Sequence, residues 1–531
     1  MRPAVFWPPA IILLGALAAS LINFDGFLGA ATALNSAMLA RFGWLFSLSS
    51  FAAVALMTIV FVSPLGGVRI GGADARPILS RWNWFAITLC TTIATGILFW
   101  GAAEPMFHIA SPPDFAGVVN DREAAQFALS TLFLHWSITP YAIYATPALA
   151  FALAYYNCGG AYSLSGPLRL IVKNDAKGAV PALLDAMALF ALVAGVAASL
   201  GAGVMTLAGG LGAVAGLPDG AITRLGITVV IVLTYVVSSL SGLQRGIKVL
   251  SDINIRFFFL LCLFVLAAGP TLSILKLGLE SAVAYVADFF PRSLGIGGES
   301  GSLWNDQWTL DWTVFFFANW LAWAPITALF LGRIAVGYTV REFLIFNLAL
   351  PAFYGMIWMT IFGGGAILIN QSTDGALLSA LNSEGPEAVI YALIETLPLA
   401  GLVAVGFVFA TFISFVTAMD SNTHSIAGVS LKPSSPAGLA GKPAMAVKIF
   451  WGVLIGAVSW VMTATNGIDG IRMLSNLGGG PGLLILIGCG AAIVKLLFSD
   501  TAALNAPPGA ALKNVSEARA RDGQINRATT P

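Results

Sequence analysis

Five large aromatic side chains sit where an apolar helix has no interfacial reason to carry them. Trp136, Tyr141 and Tyr144 lie close to the middle of one apolar stretch. Trp320 and Trp323, three residues apart and hence on one helical face, lie in another. Of the fourteen tryptophans, several fall near stretch ends, as an interfacial belt requires, but these do not. The chemistry such rings offer is cation recognition. A trimethylammonium head has no hydrogen to donate and binds best against aromatic faces, at about 0.5–2 kcal/mol per contact depending on desolvation. Four rings closing into a box therefore make a site without a carboxylate. The same rings would also serve as core filler, and spacing alone does not separate the two readings.

Polar and small residues cluster in the same region of the sequence. The run Thr91-Thr92-Ile93-Ala94-Thr95-Gly96 leads to Gly101-Ala-Ala-Glu104-Pro105, and Asn319 precedes Pro325 in the stretch that holds Trp320. Inside hydrocarbon an interrupted helix is tolerated only where it lines a cavity or is buried in protein. Transporters built as inverted repeats place substrate at two such interruptions, one in each half. Threonine, asparagine and proline are also ordinary packing devices in membrane helices. Glu104 and Asp420 read as caps or gate contacts, Asp185 as structural, and His135 as either an intramembrane functional group or a packing histidine. Catalysis would need clustered His, Cys or carboxylates, and His108, His135 and His424 fall in separate elements. A channel would need rings of carbonyls or charges along a continuous pore; a mid-depth box with broken helices points to alternating access.

The elements that must position these residues are membrane spans. At 58% hydrophobic, 10% charged and a mean hydropathy of +0.87, a soluble chain of 531 residues would have too little polar surface. Net charge is +1, so no basic footprint suggests nucleic acid. Twelve stretches are long enough to cross a bilayer core: 6–23, 43–64, 83–103, 127–155, 182–211, 223–241, 255–275, 312–332, 343–369, 397–418, 446–465 and 474–498. The first reads as a retained span and not a signal peptide. Loops after the even-numbered spans carry Arg69, Arg76, Arg81, Lys173, Arg245, Arg333 and Lys442, and the opposite loops lean acidic. The positive-inside rule then puts both termini in the cytoplasm of a multi-pass inner-membrane protein. Four single cysteines read as buried packing thiols. The tail from 499 reads as solvated, with one short helix around 511–521.

Four segments resemble the betaine/choline/carnitine transporter (BCCT) family. They are D-W-T-V-F-F-F-A-N-W-L-A-W-A-P-I-T-A-L-F-L-G-R in span eight, F-W-G-A-A-E-P-M-F-H after span three, H-W-S-I-T-P-Y-A-I-Y in span four and F-V-T-A-M-D-S in span ten. The resemblance implies an all-α leucine-transporter-like fold with two N-terminal helices (1–66), a first repeat of five spans (83–275), an inverted second repeat (312–498) and a tail (499–531). It also implies a small onium solute as cargo, lipid surroundings, a homotrimer and no cofactor. Carried over by position, the aromatic box falls on Trp136, Tyr141, Tyr144 and Trp320, with Trp323 beside it on the permeation path. Asn319 stands where many members have tryptophan. That implies either a solute whose polar end is placed differently from that of glycine betaine, or a partner for broken backbone.

The sodium site of coupled members would fall on backbone carbonyls of the span-three break, around Thr92, Ala94 and Thr95, and on the hydroxyl of Thr417, with the Thr92 or Thr95 hydroxyl able to supply a further oxygen. Here the span-three break has a single glycine, and Ala418 stands where a second hydroxyl is expected. Sodium is a hard ion that wants several oxygens, so weak or absent sodium dependence is expected. Arg256 is a candidate built-in cation, or a positive-inside charge. Sodium symport, proton-coupled uptake and exchange all remain open, as does the solute among betaine, choline, carnitine, ectoine-like and sulfonium compounds.

Overall fold

Long runs of alanine, leucine, valine and glycine can satisfy their backbone in hydrocarbon only as helices, and helices are what form. The computed structural model describes residues 1–93, 96–160, 163–171, 179–241, 244–297, 301–304, 306–431 and 442–506. In chain order the helices are α1 (Pro3–Ile22), α2 (Phe24–Val62), α3 (Arg81–Ile93), α4 (Gly96–Ala110), α5 (Asp121–Trp136), α6 (Ile138–Ala152), α7 (Ala179–Ala215), α8 (Ala221–Ser241), α9 (Gln244–Ala268) and α10 (Thr271–Ser293). They continue as α11 (Gln307–Thr309), α12 (Phe315–Ile334), α13 (Val340–Leu344), α14 (Leu350–Ser372), α15 (Ala376–Ser383), α16 (Pro386–Glu395), α17 (Ala400–Ser430), α18 (Lys442–Leu497) and α19 (Thr501–Asn505). Short π-helical turns join α11 to α12 (Leu310–Val314) and α13 to α14 (Ile345–Ala349), and extend α6 (Leu153–Asn157). Among the described residues the only β pairing is two isolated bridges.

Among the described residues ten helices are long and apolar enough to cross a membrane, or eleven if α9 and α10, bent by 107° at their junction, form one span. The expected span 255–275 runs across that bend. Gly269 and Pro270 end α9 at Ala268, because proline cannot donate to the helix that precedes it. Near the C-terminus, α18 holds two expected spans, with Gly467 (φ 50°) marking the kink between them. The tail differs from expectation at its start. α19 docks on the loop after α2, where the Asn505 side-chain carbonyl accepts from the Arg69 N–H (2.9 Å) and Leu504 is buried. The helix expected at 511–521 lies outside the described residues.

The spans sort into a core and a shell. In Asp121–Asn157 and Gln307–Ile334, 94% and 89% of the most apolar window is buried, against 33% in Pro3–Ile22 and 28% in Ala221–Ser238. The aromatic candidates and Asn319 therefore sit on the two innermost elements. α12 is enclosed by α6, α7 and α18. Small residues allow that enclosure, as is general where no hydrophobic effect drives helices together. A Cβ on Gly482 would sit 2.1 Å from the Leu321 carbonyl oxygen, and one on Gly479 2.6 Å from that of Ala318.

The interruptions are not all where the sequence places them. Span three is divided into α3 and α4, with residues 94–95 between them outside the described residues. Pro105 does not close α4, which continues to Ala110. Span eight is not broken at Asn319 or Pro325. α12 is continuous from Phe315 to Ile334, and its irregularity is the π turn one to two turns earlier. Span four is the other broken one. Ser137 (φ −122°, ψ −117°) ends α5 and turns the chain into α6.

Candidate substrate site

The break at Ser137 decides where the rings point. Trp136 is the last residue of α5, and Tyr141 and Tyr144 lie on the first turns of α6, three apart and on one face. Pro140 has no N–H to bond back across the break, and the Ser137 hydroxyl donates to the Phe133 carbonyl at 2.5 Å. Facing them from α12 is Trp320, which touches all three rings. Its centroid is 5.5 Å from Trp136, 5.7 Å from Tyr141 and 4.9 Å from Tyr144, in edge-on or tilted geometry. Tyr141 and Tyr144 are 6.5 Å apart and perpendicular. All four are buried. Gly96 supplies the room, since a Cβ there would lie 2.8 Å from the Trp136 ring.

Each ring is held by a polar atom. The Trp136 Nε1–H donates to Glu104 Oε2 (2.7 Å) and the Trp320 Nε1–H to the His135 carbonyl (2.9 Å). The Tyr141 hydroxyl faces that of Thr92, and the Tyr144 hydroxyl that of Thr327. Such bonds let Trp and Tyr be buried without an orphaned polar atom. They also fix which edge of each ring faces the others.

Trp323 and Asn319 flank this cluster rather than close it. Trp323 lies three residues past Trp320, is partly buried, and donates to the Ser199 hydroxyl of α7 (3.0 Å). The Asn319 side-chain carbonyl accepts from the Ser475 hydroxyl of α18 (3.0 Å). A position 100° round the helix from Trp320, it is engaged at the α12–α18 contact and not with broken backbone.

Among the described residues the coupling-ion candidates Thr92, Thr417 and Arg256 do not converge in the same way. Thr92 donates to the Thr88 carbonyl (2.8 Å), one turn back in its own helix, and Thr417 donates to Ile413 (2.9 Å) and Ser414 (3.0 Å). Ala94 and Thr95 lie outside the described residues. Arg256 is exposed, whereas Asn254, two residues earlier, is buried against the Ser414 hydroxyl of α17 (2.6 Å). Two residues are 200° of helix rotation, so Arg256 points away from α17.

A buried polar cluster behind Trp136 is the part that sequence reasoning missed. Glu104 Oε1 lies 2.6 Å from His135 Nδ1 and 3.3 Å from His108 Nε2, and His135 Nε2 is 3.1 Å from the Thr313 hydroxyl. All three residues are fully buried. Two histidines assigned to separate elements thus meet on one carboxylate. Glu104 and His108 are four apart on α4, a signal available in the sequence, while His135 arrives from α5 only through the tertiary fold. The donor atoms lie close together, but at hydrogen-bond spacing, and two arginines, Arg292 and Arg472, face the carboxylate. That is the environment of an anion or a proton site and not of a cation. A cavity of about 770 Å³ lies elsewhere, between α1, α2, α7 and α18; its lining is apolar apart from Ser20 and Arg41, which suits acyl chains and not a polar solute.

Comparison with known proteins adds a family and its chemistry. Residues 4–502 match the model of the BCCT (betaine/carnitine/choline) family of transporters. The chain is 30% identical over 510 residues to a betaine/ectoine transporter of Corynebacterium glutamicum, covering 94% of this chain and 78% of that protein. It is 30% identical to an ectoine/hydroxyectoine transporter of Virgibacillus pantothenticus over 86% of this chain and 89% of that one. A glycine betaine transporter of Bacillus subtilis is 29% identical over 91% and 92% of the two chains.

Proposed function

The chain belongs to the betaine/carnitine/choline family of transporters, and from that membership we propose a secondary transporter of quaternary-ammonium or related onium solutes whose cationic head is held by Trp136, Tyr141, Tyr144 and Trp320. The family and its relatives are transporters, not enzymes, and the chain is a multi-pass membrane protein. The observation that carries the reading is Trp320 in contact with three aromatic rings from α5 and α6. A permanent cation has no better partner in a dry site than π faces. The rings touch one another, so a head enters only as they part. Alternating access supplies that opening, with α12 and the α5–α6 elbow as the parts that move. Trp323 and Asn319 border the path and act on the solute's other end.

The twelve-span plan goes with this reading. Ten spans, the bent α9–α10 pair and the divided α3–α4 unit add to twelve. α3–α7, with α8 and α9, and α12–α18 are then the two inverted repeats, after the two N-terminal helices and before a cytoplasmic tail. Charge asymmetry supports both termini on the cytoplasmic side, and a homotrimer in lipid is carried over from the family.

A second reading concerns coupling. Ala418 offers no hydroxyl beside that of Thr417, and sodium needs several oxygens, which favours transport with little sodium dependence, as exchange or proton-linked uptake. The test of function is uptake of labelled glycine betaine, choline, carnitine and ectoine into proteoliposomes, with sodium or potassium outside. Accumulation of at least one onium solute above protein-free vesicles is expected. Uptake of none of the onium solutes would refute the reading.

A further inference from the structure

The Glu104 cluster touches the box, yet nothing in box or gate chemistry requires a carboxylate and two histidines there. Glu104 holds the indole of Trp136 by one oxygen and His135 and His108 by the other. His135 in turn holds Trp320 by its backbone carbonyl. Both tryptophans of the box therefore hang on one titratable unit. The unit also has spare protonation capacity, because His108 Nδ1 is buried with no hydrogen-bond partner.

The charges around the unit are specific. From α10, Arg292 faces it while bonded to the Thr131 hydroxyl (2.7 Å) and stacked over Phe127, with Asp288 and Tyr285 acting on the guanidinium. From α18, Arg472 faces it while stacked on Trp312 at 4.2 Å, with Asp469 (3.6 Å) and Asp311 as its acids. α7 and α16 also pack on α4, but their acids are engaged elsewhere: Asp185 with Arg2 and Ser163, and Glu387 with Arg224. The field at Glu104 is thus set by two fixed cations, a carboxyl group and two imidazoles.

An onium head in the box adds a third fixed cation on the other side of one indole. Unit charges about 7 Å apart at an effective dielectric near 20 shift an equilibrium by more than about tenfold, and a cation stabilises the deprotonated cluster. Proton and solute head then oppose each other, and the Trp136–Glu104 hydrogen bond is the physical link. We infer that the Glu104–His135–His108 cluster is a proton-binding site that exchanges its proton for the onium head, so that loading the box releases a proton from the cluster to solvent. The inference rests on the box reading above. The proton belongs to the coupled unit and not to one of its members.

The test uses the full-length protein in nanodiscs, with glycine betaine and choline as probes. Tryptophan-fluorescence titrations at pH 5.5 and 8.0 should give an affinity at least tenfold weaker at the lower pH. Calorimetry in phosphate and in Tris should show net proton release on binding at an intermediate pH. Glu104→Gln should remove both effects, and His108→Asn should move the pH midpoint. Glu387 needs a control, because burial, helped by the neighbouring Asp219, pushes its carboxyl up to about 8; Glu387→Gln should leave the pH dependence of binding unchanged. If Glu104→Gln does not fold, the proton count in wild type and the midpoint in His108→Asn still decide. Affinity within twofold across the range with no proton released overturns the proposal, as does unaltered pH dependence in folded Glu104→Gln. In either case, a loss of binding in Trp320→Ala leaves the box reading standing. If Trp320→Ala binds both probes as wild type does, the box fails and the proton proposal with it.

Discussion

The aromatic cluster and the expected ion site lie on neighbouring helices and are built in opposite ways. In the cluster, polar contacts run between elements. Trp136 on α5 reaches Glu104 on α4, Trp320 on α12 reaches the backbone of His135, and Trp323 reaches Ser199 on α7. In the expected ion site the hydroxyls turn inward, Thr92 to Thr88 and Thr417 to Ile413, each one turn back along its own helix. A ring tied to a neighbouring helix registers any movement between the two, so it can report and resist a change of state. A threonine bonded to its own helix keeps that bond whatever the neighbour does, so the bond registers no movement between helices. The polar contacts of the first region tie helices together, and those of the second stay within one helix.

The sharpest way to break this comparison is at its centre. Trp320 is the one ring in contact with the other three, so Trp320→Ala should weaken glycine betaine or choline binding by about a hundredfold, roughly 2.7 kcal/mol, somewhat more than one desolvated cation–π interaction. Trp320→Phe should keep part of it. Fluorescence titration of the purified variants measures both, and an unchanged affinity in the alanine variant would place the onium head elsewhere.

Packing around α12 gives the next largest effect. The α18 glycines let Leu321 and Ala318 approach as backbone, and Gly482→Val would put a branched side chain where even a Cβ has 2.1 Å. Displacing α18 moves Ser475 and Arg472 together, so both thermal stability and binding should fall, by about 1–3 kcal/mol in stability as overpacking generally costs. A thermal-shift assay in detergent reads it, and a melting temperature within one degree of wild type would show that α18 is free to yield.

How far these regions could be read from sequence follows from what each depends on. The four rings that meet stood out in the sequence because tryptophan and tyrosine in mid-span lie away from an interfacial belt; that they meet was not given by spacing. The helical class and the apolar spans were legible from hydrocarbon-length runs alone. Breaks were read less well, since a proline such as Pro325 marks only a possible kink; α12 passes through it, and Ser137 breaks a span with no glycine to announce it. The Glu104–His135 contact was not legible at all. It joins residues 31 apart through the packing of α4 on α5, and no spacing rule reports such a pair.

Selectivity at the rim should be the next smaller effect. Asn319 meets Ser475 and not the rings, so Asn319→Ala removes one neutral hydrogen bond, worth about 0.5–1.5 kcal/mol. Affinity for any one solute should change no more than about tenfold, while the ranking of betaine, carnitine and ectoine shifts. Competition for labelled uptake among the three gives the ranking. An identical order in both proteins would confine Asn319 to helix packing.

The smallest effect is expected from sodium. An ion at Thr92 and Thr417 would find the lone pairs of only two hydroxyls, whose protons go to backbone one turn back, and Ala418 contributes none. Sodium needs several oxygens at once, and Arg256, exposed on α9 and turned away from α17, does not fill the place of an ion there. Replacing sodium by potassium at constant ionic strength should therefore change uptake less than about threefold. A fall of tenfold or more, about 1.4 kcal/mol of linkage, would mean that the span-three junction supplies carbonyls enough to bind the ion and that the two regions are not built as differently as their hydrogen bonds indicate. Ala418→Ser sharpens the outcome. It adds one hydroxyl at the position beside Thr417, and in a helix that hydroxyl can satisfy itself on the carbonyl of Ser414. Sodium dependence appearing in this variant alone would show that a single oxygen separates the present arrangement from a coupled one. If it does not appear, one added hydroxyl is not enough to make an ion site of these helices, and the ion that exchanges with the solute has to be sought at the carboxylate behind Trp136.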